Sequence, residues 1–160
     1  MAGALALVGY DLVRLAIAVS GLVPFNPFRP IEVYGLLILV QAEETLLTKL
    51  VGWAFHVWNG LAFAVMYTLA FGQGHVGLGV AWGLVLEVAM VATYPALFGL
   101  APGWAFLVVS LTGHIVYGAI IGLVARRAWQ SGAGAAQLGG SNPGGGRGRG
   151  RWPARPAATG

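Results

Sequence analysis

Cysteine is absent from this chain, which excludes a disulfide framework, a thiolate metal site and a cysteine nucleophile. Charge is nearly as scarce. Only 9% of residues are Asp, Glu, Lys or Arg, where soluble domains carry about a quarter, so a soluble globular domain is excluded as well. Alternating strand patterns are also missing: the apolar runs are long and continuous, unlike the roughly ten-residue alternating strands of a membrane barrel. No basic segment precedes the first apolar run, and Asp11 and Arg14 interrupt it. Both features argue against a cleaved signal peptide.

What the chain has in abundance is apolar length. Hydrophobic residues make up 58% of it and the mean hydropathy is +0.77. A hydrocarbon core about 30 Å thick takes roughly 20 apolar residues per helix. Four segments meet that length, at about 3–24, 46–71, 76–98 and 104–126. The expected fold is all-α, an integral membrane four-helix bundle occupying residues 1–127. Pro24, Pro27 and Pro30 close the first span. The apolar stretch that follows, from Ile31 to Val40 in the insertion at 25–45, is too short to cross and reads as an extra interfacial or re-entrant helix. Glu43 and Glu44 then precede the second span, near its positively polarised N-terminus. The connections "GQGH" and "GLAPG" are short, which makes spans two, three and four antiparallel neighbours.

After Arg127 the composition changes to a Gly, Pro and Arg tail, 128–160, that cannot bury enough surface to fold and is expected to be disordered. Six of the nine basic residues lie after the last span, so the positive-inside rule puts the C-terminus, and with four spans the N-terminus, on the cytoplasmic side of the cell membrane. The "RGRGR" run suits anionic lipid headgroups. It suits nucleic acid poorly, because glycine spacing offers no stacking platform beyond Trp152. Lys49 can snorkel to the outer interface, and His75 falls in a solvated turn.

The polar residues within the spans are few and regularly placed. Counted from the expected bounds, His56 and His114 are each about ten residues into spans two and four, which run in the same direction, so their depths match. Glu87 is the midpoint of span three, and Asp11 with Arg14 brackets the middle of span one. A charge at the bilayer centre costs about 2.5–3.5 kcal/mol even on a lenient insertion scale. These five groups are therefore expected to turn inward as a mid-depth polar layer. Gly60 and Gly118 follow the two histidines by one helical turn, and Gly79/Gly83 and Gly118/Gly122 are small-xxx-small pairs, so helix packing is assigned to these glycines. The recurrence of His-x-x-x-Gly suggests a weak duplication of hairpins one–two and three–four.

The stretches "GWAFHVWNGLAFAVMY", "GLGVAWGLVLEVAMVATYP" and "GHIVYGAIIGLVAR" resemble a group of small bacterial and archaeal four-helix membrane proteins with HxxxG in helix two and HxxYG in helix four. The resemblance covers about residues 50–126 and implies a fold but no activity or cofactor. Asp11, Arg14 and the insertion at 25–45 are not features that it implies.

Three functions compete at this stage. An imidazole titrates near neutral pH, so the layer suits a proton, ion or small-solute transport role. Alternatively the layer supplies interhelical hydrogen bonds in a structural, partner-binding or lipid-binding membrane protein, and a bundle of this size is suited to homodimerise. Thirdly, two histidines at one depth can ligate haem b, or a metal with Glu87; no CxxCH or carboxylate-x-x-His motif accompanies them. Ser110 lies one turn before His114, but no nucleophile-elbow pattern surrounds it. It is expected to bond the preceding turn's carbonyl, and an enzyme is the weakest reading.

Overall fold

The computed structural model describes residues 1–24, 26–72, 74–98 and 103–140. They form five helices in chain order, α1 (Ala2–Val19), α2 (Arg29–Leu39), α3 (Leu46–Phe71), α4 (Val76–Phe98) and α5 (Trp104–Gly140). No strand occurs among the described residues. Helices α1, α3, α4 and α5 are long and apolar enough to cross a membrane. Their outer faces are apolar as well: Leu5, Val8, Leu12, Leu50, Trp58, Val65, Leu69, Val85 and Val88 are all exposed. Soluble monomers rarely present so continuous an apolar surface. A lipid environment removes the penalty, because the bundle then needs only its polar groups turned inward.

Local signals set the helix ends. α1 stops at Val19 rather than near residue 24 because Ser20 caps it and Gly21 takes a left-handed backbone (φ +68°), its N–H donating to the Ala18 carbonyl. Glycine alone occupies that region without strain. The prolines therefore act one turn later: Pro30 occupies the first turn of α2, where a missing N–H costs nothing. α3 opens on a capping box in which the Thr45 and Thr48 side chains reciprocally accept from each other's backbone N–H. Thr45→Ala is expected to cost about 1 kcal/mol in detergent unfolding followed by circular dichroism; an unchanged midpoint would show the cap to be dispensable. α5 continues through Gly140, past the boundary at 127 where the tail was expected to begin, and residues 141–160 lie outside the described residues.

Helix order departs from the expected series of antiparallel neighbours. α4 packs along α5, but α1 lies between α3 and α5, and α3 makes little contact with α4. The reason is the stripe of α1 formed by Gly3, Ala6, Leu7, Tyr10 and Arg14, all buried. Glycines on α1 admit close neighbours on both sides: a Cβ at Gly3, on that stripe, would overlap Ala64 of α3, and one at the partly buried Gly9 would overlap Ile120 of α5. α3 and α4 meet chiefly near the turn joining them, where the Phe71 and Trp82 rings are 6.1 Å apart and the Tyr67 hydroxyl donates to the His75 carbonyl at 3.2 Å.

The packing glycines sit where backbones touch. A Cβ at Gly79 would meet the Gly118 carbonyl, one at Gly118 the Gly79 carbonyl, one at Gly83 the His114 carbonyl and one at Gly122 the His75 carbonyl. Gly60 instead faces the Leu7 side chain of α1. A further pair escaped sequence reasoning, since Gly35 and Gly52 bring the backbones of α2 and α3 together. That junction is reinforced by ion pairs of Arg29 with Glu44 and with Glu32, and of Lys49 with Glu44 (3.7 Å) and Glu32 (3.9 Å). Lys49 is thus half-exposed and paired across helices.

Candidate functional site

The interior acids and histidines lie at two helix contacts, α3 against α1 and α4 against α5. His56, one turn beyond Gly52 on α3, points its Nε2 at Asp11, 3.1 Å from both carboxylate oxygens. Arg14 Nη1 lies 3.4 Å from Asp11 Oδ1, and the other terminal nitrogen donates to the Pro27 carbonyl in the connection before α2. The guanidinium also stands 4.8 Å from the centre of the Tyr10 ring. Arg14 is 4% exposed. Its charge is accommodated by a carboxylate, a carbonyl and an aromatic face, the set of partners a buried guanidinium needs.

On the other side of α1, Glu87 of α4 meets α5. Its Oε2 accepts from the Ser110 hydroxyl at 2.7 Å and lies 2.8 Å from His114 Nδ1. Ser110 therefore bonds across helices, in place of the expected bond to its own preceding turn. His114 Nδ1 is also 3.1 Å from the Ser110 carbonyl. With two acceptors facing it, this nitrogen carries the ring's proton in the neutral form, which leaves the lone pair on Nε2. By the same logic His56 is protonated on Nε2, opposite Asp11, and keeps its lone pair on Nδ1.

The five polar residues singled out in sequence thus form two clusters, Asp11/Arg14/His56 and Glu87/His114, the second completed by Ser110. Tyr10 joins them. Its ring centre is 5.9 Å from that of His56 and 5.1 Å from that of His114. Sequence reasoning passed over Tyr10, although its place on the stripe shared with Ala6, Leu7 and Arg14 was the available signal. Tyr117, one turn from His114, stacks edge-on against Tyr10 and donates its hydroxyl to the Gly60 carbonyl. The glycine after each histidine thereby serves a different purpose, an uncovered carbonyl on α3 and a backbone contact on α5.

Both clusters border one cavity of about 290 Å³. All five helices line it: His56, His114, Arg14, Asn59 and Ser110 supply polar groups, and Leu7, Ile31, Phe63, Leu86, Met90 and Phe106 supply apolar wall. It lies in the space left where α3 and α4 diverge from their joining turn. α2 contributes Pro30, Ile31 and Tyr34. Burial pushes the Tyr34 phenol above its ordinary value, with Tyr10 and Tyr94 adding to the rise and Arg14 opposing it, so it remains a neutral hydrogen-bonding group at working pH.

The metal candidates are separated by this arrangement. Glu87 and His114 are together, but His56 pairs with Asp11, and no three His, Asp or Glu side chains converge to hold a metal ion among the described residues. Compared with protein-family models, curated proteins and solved structures, the chain matches none of them.

Proposed function

We propose that this chain is a membrane-embedded carrier that takes a small, largely apolar solute into the central cavity and exchanges protons at the two histidine–carboxylate pairs. One observation carries the reading: two imidazoles, each tied to a carboxylate by one nitrogen, border the same cavity at the middle of four apolar helices. A pair of this kind places a base beside an anion, an arrangement through which a proton can be taken up and passed on. The arginine excess after α5 favours cytoplasmic termini, and α2, with its ion pairs at the start of α3, then rests at the opposite interface of the cell membrane.

Proteoliposomes with an imposed pH gradient and an enclosed pH-sensitive dye test this. The wild-type chain is expected to dissipate the gradient, and His56→Ala and His114→Ala to fall to the rate of protein-free vesicles while remaining monodisperse. Unchanged dissipation in both variants would overturn the reading and leave the pairs as interhelical hydrogen bonds, worth about 0.6–2 kcal/mol each.

A further inference from the structure

The cavity has a composition and an access route that together select a chemistry. We infer that its occupant is a flat, lipid-soluble ring with an oxygen on each of two opposite edges, the chemistry of a quinone and its quinol. The inference rests on the reading of this cavity as a solute site and names the solute's class.

Access comes first. α3 packs on α1 and α2, and α4 packs on α5, so the cavity between them opens along the divergence of α3 and α4. Ala89 and Thr93, exposed on α4, line that side. With both helices in a bilayer, the opening faces lipid, and a molecule dissolved in the hydrocarbon enters without crossing water. The volume of about 290 Å³ suits a ring-sized head, at the lower end of small-molecule pockets. A hydrocarbon tail can remain in the gap between the helices.

The walls suit a ring. Phe63, Phe106, Met90 and Ile31 offer aromatic and polarizable surface. The polar groups suit two oxygens. His56 and His114 come from opposite sides of the bundle, and both touch Tyr10. Each has one nitrogen committed to a carboxylate, and among the described residues the other has no protein partner. Neutral, these second nitrogens accept hydrogen bonds, as a quinol's two hydroxyls require; protonated, they donate, as a quinone's two carbonyls require. Charge narrows the choice further. Arg14 lines the cavity and disfavours a cation, and its own charge is offset by Asp11 behind it, so a neutral molecule fits best. The proposal concerns binding alone and includes no electron transfer.

The test uses the full chain in phosphatidylcholine nanodiscs, titrated calorimetrically with a decyl-tailed benzoquinone. Saturable binding of one quinone per chain is expected. His56→Ala and His114→Ala should each weaken it about tenfold, which is about 1.4 kcal/mol and within the cost of a lost buried hydrogen bond. Ala89→Phe keeps both histidine–carboxylate pairs and narrows the opening, and it should weaken binding comparably. Uptake that merely matches partitioning into empty nanodiscs would overturn the inference, as would saturable binding that none of the three variants alters. The two readings separate cleanly. Gradient dissipation without quinone binding removes the quinone and leaves proton exchange, whereas quinone binding without dissipation removes the carrier and leaves the site.

Discussion

Asp11→Ala is expected to destabilise the bundle by about 3–5 kcal/mol, the cost of removing one partner from a buried ion pair. The carboxylate serves two groups at once, with Nε2 of His56 at 3.1 Å and Nη1 of Arg14 at 3.4 Å. Without it the Arg14 guanidinium keeps the Pro27 carbonyl and the Tyr10 face, but its positive charge is uncompensated in a 4% exposed position, and among the described residues its Nε already has no partner. The penalty arises from the stranded cation, so removing that cation as well should relieve it. Asp11→Ala combined with Arg14→Leu is expected to be more stable than Asp11→Ala alone. Unfolding of the four chains in detergent, followed by circular dichroism, closes the double-mutant cycle. A single variant as stable as wild type, or additive losses in the double variant, would show that the pair does not act as a unit.

Gly118→Leu should have an effect of similar size by a different route. The Cβ of residue 118 would fall on the Gly79 carbonyl, and the reciprocal Cβ at Gly79 would fall on the Gly118 carbonyl. Neither neighbour is the flexible end of a side chain. Relief requires α4 and α5 to separate along their length, which carries Glu87 away from His114 and Ser110. The expected loss is about 3 kcal/mol, the upper end of overpacking costs, together with collapse of proton exchange and quinone binding. Gly103→Ala is the control, because among the described residues nothing lies within 4 Å of a Cβ there. It should unfold at the wild-type midpoint. A Gly118→Leu chain with unaltered stability would mean that the helices are not in backbone contact.

Much of the bundle was legible in composition and spacing. The four long apolar runs give four helices long enough to cross a membrane, and α4 and α5 come closest at Gly79, Gly83, Gly118 and Gly122. The site was legible only in part. Asp11, Arg14, His56, Glu87 and His114 were recognisable because ionisable groups are costly among apolar residues, a rule that needs no knowledge of partners. Tyr10 and Ser110 were harder, since a tyrosine or a serine in such a helix is cheap and common, and only contact reveals what it joins. Gly35 and Gly52 were missed because they lie on separate helices, one of them short, and form no repeated spacing on either.

Hydropathy and length determined by themselves that this chain forms helices long and apolar enough to cross a membrane and that its few ionisable groups must avoid lipid. Both follow from local physics: a helix satisfies its own backbone hydrogen bonds, and the cost of a charge depends on its immediate surroundings. Which groups then pair was decided by tertiary structure. Asp11 and His56 are 45 residues apart, and they meet because Gly3 and Gly9 let α1 pack closely against both α3 and α5. That insertion divides the polar residues into two histidine–carboxylate clusters and holds α3 away from α4. The cavity between them exists because helix order depends on which surfaces fit closest, a property of facing pairs of helices that no single segment carries.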